Sequence, residues 1–357
     1  MMPQRVLDIA NAQDDLIRRD QAIAAGASAK TVRWAVRSQW QVVLPGIYAT
    51  FTGPLGQIHR VRAGLLLAGP GAMVTGAMGC VLSGLTYGPS PGDDVDVLIS
   101  KGRRRVGTGF VRVHRSSELP KPRIWQDDSK EAKAEIAVAR PRWVEGGDTL
   151  ADGACRWTIP VAPAARASMD AVRLQRQTLL TDPEYDGDLP DWLDRKLLQD
   201  TRALLCEVVQ RGRGEVAELV AELDVAGHDF TATAREAIAD VVAGCRSAPE
   251  CELRDLIATS LALPEPRWNQ PLPNYEPGPG GKMIYPDACW PEARLVIEVN
   301  STQWHKIGDR PERTEQRIAL YGELSWTVLP ISPQRIRREP AAVLRQIETA
   351  YQQGLAH

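Results

Sequence analysis

The stretch that most constrains this chain is Leu295-Val296-Ile297-Glu298-Val299-Asn300, an apolar run that turns acidic near its end. Such a run reads as a buried strand that delivers a carboxylate to the end of a sheet. Asp287, after Pro286, stands eleven positions upstream, a separation that fits the neighbouring strand of a hairpin. Two acidic groups then converge. Like charges held side by side away from water need a cation, a shared proton or strong hydrogen bonds, and an oxygen donor set points to Mg2+ or Mn2+. Asp287 alone also suits a turn after proline, whereas a carboxylate following Leu-Val-Ile is costly to desolvate unless it is paired or metal-bound. Further upstream, Ser247-Ala-Pro-Glu250 is a capping-box pattern in which hydroxyl and carboxylate satisfy free amides at a helix start.

Pro286-Asp287 followed by Glu298-Val299-Asn300 resembles the PD-(D/E)XK nuclease signature. Ser247-x-Pro-Glu250 together with Trp304-His305 resembles its very-short-patch-repair (Vsr-like) branch. The resemblance spans roughly residues 248–350 and includes Trp268-Asn269, Arg317 and the Trp326-Thr-Val-Leu strand. It implies Asp287 and Glu298 as metal ligands, the Val299 carbonyl as a third, Glu250 as the acidic residue of the first helix and His305 as the group that assists proton transfer. The general family has Lys where this chain has Asn300, and Asn orients water or metal through hydrogen bonds but cannot serve as a general base. Arg313 and Arg317, four apart on the helix after the site, would face a phosphate and offer bidentate hydrogen bonds.

At the other end of the chain, residues 15–25 carry Leu16, Ile17, Ala22 and Ile23 at helical spacing. Gly26 ends that helix, and Ser28 is placed to cap a second one running to about residue 38. Lys30, Arg33 and Arg37 fall on one face of the second helix, opposite Val32 and Val36, and present a surface suited to a major groove. Trp40-Gln-Val-Val-Leu and Gly46-Ile-Tyr-Ala flank Pro45-Gly46 as a two-stranded wing. The Ala-Gly turn and the Leu-Pro-Gly-x-Tyr wing resemble the winged helix of AbiEi-type antitoxins. Ile159 to Asp170 resembles the segment that closes the middle domain of that family, with Arg166 and Asp170 as an intrahelical pair. Between them, Val95-Asp-Val-Leu-Ile and Phe110-Val-Arg-Val-His alternate as strands around Lys101-Gly-Arg103-Arg104-Arg105, a basic hairpin able to track phosphates or simply an exposed turn.

Residues 63–92 contain no charge, which by length alone would suggest a membrane span, but Pro70, Pro89, Pro91 and many glycines break them into buried helix, turn and helix. Net charge is only −2, so any nucleic-acid interaction must rest on local basic faces. The six cysteines are scattered without zinc-ligand spacing and residues 1–20 lack a secretion signal, which points to reduced thiols in a cytoplasmic protein. The expectation is therefore a multidomain α/β chain. Residues 1–52 form a winged helix-turn-helix, 53–175 an α+β middle region, 176–245 a helical connector and 246–357 a restriction-endonuclease-like (Vsr-like) α/β domain. Two functions fit: a DNA-binding, Mg2+- or Mn2+-dependent endonuclease, or an antitoxin-like repressor, with a toxin partner, whose nuclease-type domain is inactive.

Overall fold

The computed structural model describes residues 1–126, 158–185, 187–277, 282–299 and 310–356. It is a multidomain α/β chain of helices and three small sheets. Two units divide it: Met1–Leu204 with Arg211–Arg235, and Leu205–Gln210 with Glu236–His357. The four segments expected from the sequence are a finer division than this.

In the first unit, α1 (Gln4–Ala12) leads into a turn where Asp14 and Asp15 both take positive φ, +56° and +61°. β1 (Leu16–Arg18) follows. Leu16 and Ile17 are both fully buried but in different cores, Leu16 with the middle sheet and Ile17 with the N-terminal helices. Neighbours buried on opposite sides require the two-residue period of a strand, so the helix expected over residues 15–25 begins only at α2 (Arg19–Ala24). Gly26, at φ +100°, closes α2, and the Ser28 hydroxyl accepts the Thr31 amide at 3.0 Å to cap α3 (Ala29–Ser38). β2 (Gln41–Leu44) and β3 (Ile47–Ala49) pair antiparallel around Pro45-Gly46, and β1 joins the other edge of β3.

The uncharged stretch folds as the second half of α4 (Gln57–Ala68), then β4 (Met73–Val74) and α5 (Gly76–Leu82), so a short strand takes the place of the simple turn. With β5 (Val95–Ser100), β6 (Val111–Ser116), β7 (Arg123–Gln126) and β8 (Thr158–Val161) it builds a five-stranded sheet in the order β6-β5-β4-β8-β7. β5 and β6 run parallel, Val95 opposite Val111, so the expected basic hairpin is not formed. One face of this pair packs on Gly64 of α4, where an added Cβ would stand within 3.6 Å of Val95, Val97 and Val111. On the other face Arg112 pairs with Asp94, and His114 with Asp96 at 2.7 Å. Each of those basic groups thus carries an acidic partner of its own, His114 half-buried and Arg112 about half exposed.

α6 (Ala164–Leu180) carries the Arg166–Asp170 pair, Nε to Oδ2 at 3.0 Å, and both residues are buried. The Thr75 hydroxyl donates to the same Asp170 oxygen at 2.6 Å, and Arg166 also reaches Glu222 at 3.2 Å. The pair is thus a buried network rather than a surface i, i+4 contact. α7 (Asp191–Gln210), α8 (Val216–Ala226) and α9 (Ala232–Ala243) are the helices read from residues 192–245.

The second unit contains α10 (Ala248–Ala258), β9 (Arg267–Trp268), β10 (Ala288–Trp290), β11 (Leu295–Val299), α11 (Arg310–Glu323), β12 (Thr327–Ile331), α12 (Pro333–Arg338) and α13 (Pro340–Leu355). The sheet order is β12-β11-β10-β9. β10 runs antiparallel to both β9 and β11; β11 and β12 are parallel, and α11 lies in the connection that parallel pairing requires. Cys289 and Val296, opposite one another, face a core with Leu272, Ile284 and Tyr321 of α11. Trp290 stacks edge-on against Tyr351 of α13, with ring centroids 5.9 Å apart. The described cysteines, Cys80, Cys206, Cys245, Cys251 and Cys289, are buried thiols with no disulfide among them. Among the described residues no helix is long and apolar enough to cross a membrane.

Candidate acidic site of the second unit

β10 and β11 are joined through a short 3-10 turn, Pro291–Ala293, and Arg294 at φ +45°. This tight reversal sets Ala288 opposite Ile297, so Asp287 and Glu298 stand opposite each other one step beyond the last paired residues. Each lies two residues from a partner in the Cys289–Val296 pair, and strand alternation puts both on the face covered by α11. The Val299 amide donates to Asp287 Oδ2 at 2.6 Å. Glu298 Oε1 accepts the Tyr321 hydroxyl at 2.7 Å and the Arg317 guanidinium at 2.9 Å. Arg317 Nη2 also donates to the Tyr285 carbonyl, and its Nε donates to the Tyr321 hydroxyl at 3.3 Å.

Glu250 stands at the start of α10, where its amide donates to the Ser247 hydroxyl at 3.4 Å and its Oε1 bonds the same hydroxyl at 2.7 Å. Its Oε2 accepts the Arg246 amide at 2.8 Å and the Asn269 side-chain amide at 2.6 Å. The capping role read from Ser247-x-x-Glu250 is therefore occupied, and Glu250 acts on the other two carboxylates through its charge. Replacing Ser247 with Ala is expected to cost about 1 kcal/mol by removing this cap, a loss that urea unfolding of the full chain would measure.

All three carboxyl groups resist ionisation. Burial pushes Asp287 well above the usual aspartate range, and the charges of Glu250 and Glu298 push it further. Burial likewise raises Glu298, over the opposing pull of Arg317 and Tyr321. Glu250 is raised by burial in spite of its three donors. Tyr321 is raised too, by burial and then by Glu298, so its hydroxyl stays a proton donor to that carboxylate.

Among the described residues the result is three carboxylates against one guanidinium, with hard oxygen donors on two adjoining strand ends. Such a donor set fits Mg2+ or Mn2+ chemically. Among the described residues neither Asp287 Oδ1 nor Glu298 Oε2 has a hydrogen-bond partner. No group of three or more His, Cys, Asp and Glu among the described residues is arranged as a metal cage, so of these residues the pair alone would offer carboxylates to an ion. Asn300 and His305 lie outside the described residues, and of Arg313 only its place on α11 is described.

Tyr321, Asn269 and the ion pair of Arg317 with Glu298 are the features that motif reading missed as site components. The signal was available in part: Arg317 and Tyr321 are four apart on one helix and so share a face. In the first unit, Lys30, Arg33 and Arg37 are exposed on α3, with Trp34 beside them at 61% exposure. Arg103 donates to the Pro70 carbonyl, while Arg104 and Arg105 are exposed.

No family model matches the chain. Over 146 residues it is 34% identical to two proteins of Mycobacterium tuberculosis, "Uncharacterized protein MT2308" of strain CDC 1551 / Oshkosh and "Uncharacterized protein Rv2248" of strain ATCC 25618 / H37Rv. The matched part is 40% of this chain and 51% of each relative, so the chain spans about half the length of the curated relatives it matches.

Proposed function

We propose that this chain binds DNA and that its second unit hydrolyses phosphodiester bonds with Mg2+ or Mn2+, as the resemblance to Vsr-like PD-(D/E)XK nucleases implies. The observation that carries the reading is the opposition of Asp287 and Glu298 across two antiparallel strand ends, on one face, with Arg317 as the counter-charge among the described residues. Asp287 Oδ1 and Glu298 Oε2 are the oxygens that would hold the ion, and the Val299 carbonyl is the third donor. A divalent cation in that place supplies Lewis acidity toward a phosphoryl oxygen and a water of lowered pKa. The Val299 amide fixes the rotamer of Asp287, and Tyr321 fixes that of Glu298. His305 is the candidate proton acceptor, and Asn300 orients water.

The first unit supplies the DNA contact. α3 follows a short helix and a glycine turn, carries Lys30, Arg33 and Arg37 on an exposed face, and is succeeded by a two-stranded antiparallel wing, the arrangement expected of an AbiEi-like winged helix. Arg33→Ala combined with Arg37→Ala is expected to weaken duplex binding at every sequence and to reduce the slope of log affinity against log salt by about 2, since each neutralised phosphate contributes about 0.9. An unchanged slope would place the DNA contact on another surface.

A second reading draws on the ion pair that occupies Glu298 and on Asn300 in place of a family lysine. In it the chain is an antitoxin-like transcriptional repressor with a toxin partner, and the acidic site is inert. A cleavage assay separates the two: supercoiled plasmid is nicked by the full chain with Mn2+ and spared in EDTA if the site is catalytic, and is bound but never cut under either condition if the chain is a repressor.

A further inference from the structure

We propose that Arg317 is the resident counter-ion of Glu298 and passes from that carboxylate to a nucleic-acid phosphate when a divalent cation takes its place. The inference rests on the metal-site reading above and adds a residue that links cation binding to DNA binding.

Glu298 is only 12% exposed, so without a metal its charge needs a partner, and Arg317 Nη2 at 2.9 Å is that partner. The Arg317 side chain is 38% exposed and is not locked in the core. A guanidinium has five N–H donors. Nε donates to the Tyr321 hydroxyl and Nη2 to the Tyr285 carbonyl, and Nη2 also forms the ion pair with Glu298. Among the described residues Nη1 has no acceptor, and its two donors can turn to a phosphate once the pair with Glu298 opens.

Competition for one carboxylate gives the direction of the exchange. A divalent cation held on Glu298 would repel the guanidinium beside it, and a phosphate oxygen is the anion to which Arg317 would turn. Glu298 keeps its orientation when Arg317 leaves, because Tyr321 donates to the same carboxylate oxygen at 2.7 Å and its ring is fully buried with Leu272, Ile284, Cys289 and Val296. Tyr321 is thus the fixed positioning residue and Arg317 the exchangeable one.

Competition for Glu298 makes a distinctive expectation. Arg317→Gln, which keeps a hydrogen bond to the carboxylate but removes the charge, should tighten Mn2+ binding to the full chain on the order of tenfold, as read by calorimetric titration with Mn2+ alone. The same variant should bind duplex DNA several-fold more weakly than wild type with Ca2+ present and equally well in EDTA, where Arg317 stays on Glu298. Mn2+ binding by the variant but not by the wild type would support the exchange in its strongest form. Wild-type binding that is unchanged or weakened in the variant overturns the exchange and leaves the metal site standing. Absence of Mn2+ binding in both removes the metal site and the exchange together. Should the variant not fold, the wild type still decides: Ca2+ and duplex DNA must each tighten binding of the other, and independence of the two overturns the exchange.

Discussion

Asp287→Asn is expected to abolish Mn2+-dependent cleavage of duplex DNA, with a loss greater than about 100-fold, while the chain stays folded and its metal-free form becomes more resistant to urea above pH 5. The amide oxygen of Asn can still accept the Val299 N–H that Asp287 Oδ2 accepts now at 2.6 Å, so the hairpin end keeps its shape. What disappears is the charge that holds a cation. The pH dependence follows from the direction of the shift. Burial first, then Glu250 and Glu298, raise the folded-state pKa of Asp287 above its unfolded value, which for aspartate is about 3.9. Below that unfolded value the group is protonated in both states and costs nothing. As pH climbs toward the folded value, only the unfolded chain releases the proton, and wild-type stability falls. Asn has no such loss, so the gap between variant and wild type widens from pH 5 to pH 8 in EDTA, and Mn2+ narrows it by stabilising the wild type alone. Full cleavage by the variant, or a gap that does not widen with pH, would mean that Asp287 is neither ligand nor strained carboxylate.

Arg62→Ala is expected to cost about 3–5 kcal/mol of stability, the usual consequence of stripping one partner from a buried ion pair. Arg62 on α4 is 1% exposed and Asp14 3%, with Nε to Oδ2 at 2.9 Å. Asp14 sits in the positive-φ turn that sends the chain into β1, so the guanidinium both neutralises a buried charge and fixes the start of the three-stranded sheet behind α3. Removing Arg62 leaves a buried carboxylate without its counter-charge. Urea unfolding of the full chain measures the loss, and a change below about 1 kcal/mol would show that solvent reaches Asp14. Replacing both partners with apolar residues of similar volume should recover much of the loss, because the attraction and the desolvation penalty of a buried pair largely offset each other. DNA binding through α3 should weaken in the single variant under conditions where the front sheet opens first.

Several of these features were legible in the sequence because they are local. Ser28 and Ser247 announce helix starts, and both cap as their position implies. The ten residues between Asp287 and Glu298 contain Pro291 and a tight reversal, so a hairpin was readable there. The pairing partners of Arg317 and Arg112, and the second partner of Arg166, Glu222, were not legible, because each depends on which element packs against the one that carries the residue. Arg317 meets Glu298 only through the crossover that makes β12 parallel to β11. β5 and β6 look like a hairpin in sequence, since few residues separate them, yet they pair in parallel and Arg112 and His114 pair with Asp94 and Asp96. Leu16 and Ile17 misled for a related reason. Two adjacent apolar residues satisfy a helical stripe in a short window, and only the existence of a core on either side turns them into a strand.

The most direct test is a crystal of the full chain soaked in Mn2+ and measured for anomalous scattering. The expected result is one strong peak between the carboxylates of Asp287 and Glu298, within bonding distance of Asp287 Oδ1 and Glu298 Oε2, and its loss in Asp287→Asn. A peak held by other residues, or Arg317 still on Glu298 with no peak at saturating Mn2+, would contradict a metal-dependent site at these strand ends.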